Sequence, residues 1–246
     1  TTRPVPVNIK QGFEMCDQLR LRFLKHLKNG SSVDEETLLL FQKTFNHRTI
    51  SIYNLPQKSL LEIYPCLQEK IFLEREIQEM YGRTSFKKMR ENIDALLKAL
   101  EKHHDYLNFP YAVIHFFKRL RSDSPFFQVF KDKEAFVSFN RDNSDHILCV
   151  LISNSTIESI KLLTFEMTIQ VKSLAEGLLL QVLIHHVLEK QYVQRRELEF
   201  KVLESFVFGI LSDIPFSAQE YIKEVSATFA ELETMESVMA EEYTEG

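Results

Sequence analysis

Leu163-Thr164-Phe165-Glu166-Met167-Thr168-Ile169-Gln170-Val171-Lys172 alternates apolar and polar residues without a break. Leu163, Phe165, Met167, Ile169 and Val171 fall on one side, and the five polar residues fall on the other. A period of two is that of a β-strand with one face buried, and Thr, Ile, Val and Phe suit a pleated surface. Upstream, 147–152 is a continuous apolar run, 140–145 is a polar, turn-rich cluster, and 135–139 is β-friendly. Residues 135–172 therefore read as an antiparallel meander of three strands. The competing reading makes 156–172 a helix, which would leave an all-α bundle or an irregular helical repeat.

On either side of this region the period is helical. Phe13, Cys16, Leu19, Phe23 and Leu27 recur every three or four residues, and Gly30 stands where a helix C-cap would. Ser32-Val33-Asp34-Glu35 has the spacing of a capping box, opening a second helix through Leu38, Phe41 and Phe45. A third helix is expected over 59–81, kinked or split by Pro65 and ended by Gly82. Over 85–107, Phe86, Met89, Ile93, Leu96, Leu97, Leu100 and Leu107 form one stripe opposite Lys87, Arg90, Asp94, Lys98 and Glu101. A shorter apolar segment covers 111–120. Residues 174–192 are apolar almost all round and are expected to form a central helix. Residues 195–211 fit a strand or a helix, and 217–243 fit a last amphipathic helix rich in Glu. The expected fold is α+β, predominantly helical, with 1–125 a helical region and 126–246 an α+β region, the two forming one domain or two.

The 246 residues suffice for a sizeable core, with 44% apolar and 26% charged residues. Gly and Pro number only 6 and 7, which suits long helices and few tight turns. No stretch approaches the roughly 18 to 20 apolar residues of a membrane span. Residues 1–10 lack the apolar core of a signal peptide, and without an initiator Met the chain is expected to be a trimmed or excised segment. Three Cys, odd in number and far apart, do not suggest a disulfide framework, and an intracellular, reducing setting is expected. The sequons at Asn29 and Asn154 would matter only in a secreted protein.

Catalytic patterns are missing. A phosphate cradle or a nucleophile elbow needs clustered glycines, and no two glycines here lie closer than eighteen residues. No two His lie three or four apart, so no helix face offers a metal pair, and neither metal nor cofactor is expected. If the chain were an enzyme of unfamiliar type, Cys149, His146 and Asp142 would be its nominees. Cys149 lies inside the apolar run, where a thiol is filler, and Asp142 and Asp145 look like turn formers.

Charge is more suggestive. Residues 83–121 carry nine bases and four acids, a local +5, while 213–246 carry nine acids and one base, a local −8, against a total of −5. Lys118, Arg119 and Arg121 border Phe116, Phe117, Phe126 and Phe127, and such interleaving of charge and rings can hold single-stranded nucleic acid. Phe at helical spacing is more often core, and the chain as a whole is acidic, so a solvated face or an acidic partner is favoured. With 20 Phe, 8 Tyr and no Trp, the apolar faces suit binding to protein. The expected function is a non-catalytic protein–protein interaction or scaffold module, a subunit of a larger intracellular complex. Its expected partner-binding residues are Lys118, Arg119, Arg121, Phe116 and Phe117 on the basic side, with Phe229 and Leu232 on the acidic last helix. A nucleic-acid-binding subunit is the alternative. The last helix is as apt to close its own core as to pack in trans.

Overall fold

The computed structural model describes residues 9–55, 57–103, 111–120, 126–139, 146–165, 167–188 and 197–210, with 216, 218–221, 223–225 and 227. The fold is α+β and 73% helical, with one four-stranded mixed sheet. Packing divides it into two units, Thr1–Phe86 with Leu183–Gln191, and Lys87–Val182 with Tyr192–Gly246. That division follows packing, whereas the sequence boundary at 125/126 follows a change of hydrophobic period.

The first unit is helical: α1 (Ile9–Asn29), α2 (Glu35–Lys43), α3 (Phe45–Asn54), α4 (Gln57–Ile63), a 3-10 turn (Pro65–Gln68) and α5 (Lys70–Tyr81). Gly30 ends α1 at φ 59°, where its N–H reaches the Leu27 carbonyl and that of Ser31 reaches back to His26. This six-to-one and five-to-two pairing needs a left-handed residue, which Gly supplies without strain. The cap of α2 is Asp34 and not Ser32, since Asp34 Oδ1 accepts from the Thr37 N–H at 2.7 Å. An Asx cap placed directly before the first turn displaces the Ser two residues upstream. Pro65 splits the expected third helix by opening the 3-10 turn, where its missing N–H costs nothing. The core gathers Leu19, Phe23, Phe41, Leu60, Leu67, Phe72, Leu73 and Ile77, all buried. Phe72 packs edge-on against Phe23, with ring centroids 5.6 Å apart, and at a tilt against Phe41 at 4.8 Å.

Helix α6 (Arg83–His103) starts in the first unit and continues in the second. Its expected stripe from Phe86 to Leu100 is buried, while Leu107 lies outside the described residues. Then follow α7 (Tyr111–Leu120), β1 (Phe127–Phe130), α8 (Lys133–Ser138), β2 (Ile147–Ser153), β3 (Thr156–Thr164), β4 (Met167–Val171), α9 (Leu174–Val187) and α10 (Glu197–Phe208). The strand order is β1-β2-β3-β4, with β1 parallel to β2 and the rest antiparallel.

Two expected strands need correction. Residues 135–138 belong to α8 and Phe139 is its C-cap, because Asp132 Oδ1 accepts from the Ala135 N–H at 2.7 Å and nucleates a helical turn. At its other end Lys161 Nζ donates to the carbonyls of Phe139 at 2.8 Å and Val137 at 3.4 Å, a cation at a helix C-terminus. The alternating stretch 163–172 is two strands, not one, since the chain reverses after Thr164 with Phe165 at φ 47° and Thr164 pairs with Met167. Beyond the reversal the alternation holds, with Met167, Ile169 and Val171 buried and Thr168 and Gln170 exposed. The β2–β3 turn places Asn154 and Ser155 both at positive φ, as a two-residue hairpin loop requires.

Strand β2 is buried on both faces, which explains its continuous apolar run. Ile147, Cys149 and Leu151 cluster with Phe136 and Leu163 on one face. On the other, α9 comes so close that a Cβ on Gly177 would sit 2.6 Å from Leu148 Cδ1. Ser173 and Glu176 set the start of α9: the Ser hydroxyl accepts from the Glu176 N–H, and the Glu176 carboxylate accepts from the Lys172 N–H. Residues 197–208 are helical, which resolves the 195–211 ambiguity in favour of helix. The described positions between 216 and 227 are helical as well, and of these Ala218, Tyr221 and Val225 are buried.

Candidate interaction surface

Helix α1 turns 100° per residue, which puts Cys16, Leu19 and Phe23 on one buried stripe with Gly12. Phe13 and Leu27, which the spacing assigns to that stripe, lie round its flank and are 59% and 53% exposed. Leu24 at 42% and Leu21 at 65% continue the outer sector, which also carries Arg20 and Lys28, with Lys25 at its border. The opposite flank is occupied by α2. There Arg22 meets Glu36 at 2.6 Å and His26 Nε2 lies 3.3 Å from Asp34 Oδ2. Among the described residues twelve large apolar side chains are exposed, and nine of them belong to the first unit, four on α1 alone.

Two buried polar constellations hold this helical frame together. Tyr64, at the end of α4, places its hydroxyl 2.8 Å from His47 Nδ1 and 3.2 Å from Ser51 Oγ, and it donates to Cys16 Sγ at 3.5 Å. Cys16 Sγ and His47 Nδ1 are 3.3 Å apart, and the Phe13 ring stands edge-on to His47 with centroids at 4.6 Å. One atom cluster thus joins α1, α3 and the end of α4. Burial raises the Cys16 thiol above its ordinary range, opposed by the Tyr64 bond, and burial followed by the nearby Arg48 charge lowers His47. Burial likewise raises the Tyr64 phenol. A nucleophilic Cys–His pair needs the proton to leave sulfur for imidazole. Here both shifts keep it on sulfur, so the cluster is a neutral hydrogen-bonded clamp.

The second constellation centres on Arg48, fully buried on α3. Its Nη2 lies 2.5 Å and its Nε 3.1 Å from Glu76 Oε2 on α5. Its Nη1 donates to the Phe41 carbonyl and to Thr44 Oγ1, and the guanidinium lies 3.5 Å above the Phe41 ring. Arg can do this where Lys cannot, since its planar fork serves several acceptors while its face stacks on a ring. Desolvation raises the Glu76 carboxyl above the usual carboxylate range, and Arg48 opposes that shift.

The residues singled out from the sequence fall as follows. Phe116 and Phe117 are buried, Phe117 stacking on Phe126 at 4.6 Å and Phe116 facing Tyr221 at 5.3 Å. Lys118 and Arg119 are exposed on the last turn of α7. Arg119 lies 4.4 Å over the Tyr221 ring and 3.9 Å from Glu224, so basic and acidic segments meet here within one unit. Arg121, Asp142, Phe229 and Leu232 lie outside the described residues. Cys149 sits in its apolar cluster, where burial pushes the thiol up to about 12. His146 Nδ1 is 2.6 Å from Thr164 Oγ1, and its carbonyl accepts from Gln181 Nε2 at 2.6 Å. The sequence reading missed the outer face of α1 and the Arg48–Glu76 pair. The spacing Leu21, Leu24, Leu27 was a signal for the first, but nothing local marks Arg48.

A surface hollow of about 600 Å³ is lined by Glu35, Glu36, Leu38, Leu39, Gln42 and Arg75. A further one, of about 410 Å³, is lined by Lys201, Glu204, Ser205, Phe208 and Ile210. Neither lining includes His or Cys. No group of three or more His, Cys, Asp or Glu converges as metal ligands, and no helix is long and apolar enough to cross a membrane, among the described residues. No known protein family, curated protein or solved structure matches this chain.

Proposed function

We propose that the chain is a non-catalytic protein–protein interaction or scaffold module, a subunit of a larger intracellular complex, and that its first unit carries the binding surface. The observation that carries this reading is the concentration of exposed apolar side chains in that unit, with Phe13, Leu21, Leu24 and Leu27 along α1. Scattered exposed apolar residues are normal, but several on one helix face have the character of an interface. A Cys–His nucleophile built on Cys16, Cys149 or His47 is disfavoured by burial, which raises the two thiols and lowers His47. Nucleic-acid binding through 83–121 is disfavoured because Phe116 and Phe117 are spent in the core and offer no face to a base.

The test is affinity isolation from native extract with the unaltered chain and with Leu24→Asp, comparing the co-isolated proteins by mass spectrometry. Partners lost on Leu24→Asp, with unchanged circular dichroism, would support the reading. An identical set of co-isolated proteins would overturn it.

A further inference from the structure

We infer that the occupant of the outer face of α1 is an amphipathic helix of another protein, bearing acidic residues beside its apolar ridge and lying along Arg20–Lys28. This deepens the interaction reading and rests on it. The apolar positions Leu21, Leu24 and Leu27 recur every third residue, with Phe13 further along the helix, and form a ridge that the groove of a second helix can straddle. An extended peptide gains nothing there, because the backbone groups of α1 are already paired within the helix and offer no edge to a strand. The partner must satisfy its own main chain, and a helix does so.

Charge selects among helices. Arg20, Lys25 and Lys28 accompany the ridge, and among the described residues none of the three has an ion-pair partner. Arg22 and His26, on the opposite flank, are already engaged with Glu36 and Asp34. Three unengaged cations beside an apolar row attract a carboxylate-bearing ridge and repel a basic one, including a second copy of α1 lying parallel to the first. Among the described side chains of the N-terminal half the exposed charges are Glu14 and Asp17, so the acidic part of the partner faces the C-terminal half. Those two acids also weigh against an anionic lipid surface, which would lie against the whole length of the helix.

The experiment places a photo-crosslinking amino acid at position 24 of the full chain, irradiates native extract, and sequences the crosslinked segment by mass spectrometry. The expected segment is an amphipathic helix rich in Asp and Glu. The combined Arg20→Glu, Lys25→Glu and Lys28→Glu variant is expected to reduce its yield about tenfold, with a similar loss at 1 M salt, where screening acts within about 3 Å. Lys25→Glu and Lys28→Glu are also made singly, so that a folding failure of the triple variant does not decide the outcome. A captured segment without acidic character, or a yield that charge reversal leaves unchanged, overturns the partner assignment while the interaction reading stands. A lipid adduct assigns the face to membrane and overturns the inference. No crosslink, together with no effect of Leu24→Asp on the co-isolated set, overturns both.

Discussion

Arg48 shows how much a single side chain can decide. It is fully buried, and it serves Glu76, Thr44 and the Phe41 carbonyl at once. Taking a guanidinium out of water is costly unless every donor is answered, and removing one partner strands the other's charge. Arg48→Ala is therefore expected to lower stability by about 3–5 kcal/mol in urea unfolding, with Arg48→Met combined with Glu76→Leu recovering most of that loss. His47 supplies a second prediction at this scale. Its folded pKa lies below the ordinary 6.5, so between these values the unfolded chain binds the extra proton. The contribution of His47 is fully present above pH 6.5 and is lost as pH falls below it. Unfolding free energies measured from pH 7.5 to 5 should therefore fall less steeply for His47→Gln than for the unaltered chain.

At the scale of elements, the helices were largely legible and the sheet only partly. The stripe of α6 and the all-round apolar α9 followed from period alone, because a helix reports its buried face every three or four residues. The stretch 163–172 showed its alternation but hid its reversal. Phe165 keeps the apolar place of a strand residue in the sequence while the chain turns, so the break is invisible to a count of periods. Strand β1 was missed because four residues paired in parallel to a strand twenty residues on leave no local signature. Gly177, an unremarkable helix residue by sequence, marks the closest approach of α9 to the sheet. Gly177→Ala gains helix propensity of up to about 1 kcal/mol but drives its Cβ into Leu148. Overpacking of this kind typically costs about 1–3 kcal/mol. A net loss is expected in thermal unfolding, relieved when Leu148→Val is added, whereas equal stability of Gly177→Ala and the parent would show that Leu148 simply moves aside.

The molecule as a whole is described by where it buries and where it exposes. All three cysteines, Cys16, Cys66 and Cys149, are free and buried, and burial pushes Cys66 up to about 12. A thiol-reactive aromatic disulfide should accordingly titrate almost no sulfur in the native protein and three per chain in denaturant. One fast-reacting native thiol would contradict the assigned burial. Exposure, by contrast, is uneven: among the described residues, nine of the twelve exposed large apolar side chains are in the first unit. The sequence had directed attention to the basic 83–121 and acidic 213–246 segments, and part of that charge is engaged internally, as Arg119 with Glu224.

Composition and period by themselves determined a mostly helical α+β chain, several of its helix boundaries, and the strand-like pattern of 163–172. These are local properties: a cap, a proline or an apolar repeat acts on neighbours a few residues away, and that energy is written in the sequence. Only the tertiary structure decided that α1 buries Cys16, Leu19 and Phe23 while leaving Phe13 and Leu27 outside, that Asp132 turns 135–138 into helix, and that Arg48 finds Glu76. An apolar side chain becomes core only when another element arrives to cover it. Which element arrives is fixed by the summed packing of segments distant in the chain, which no local pattern records.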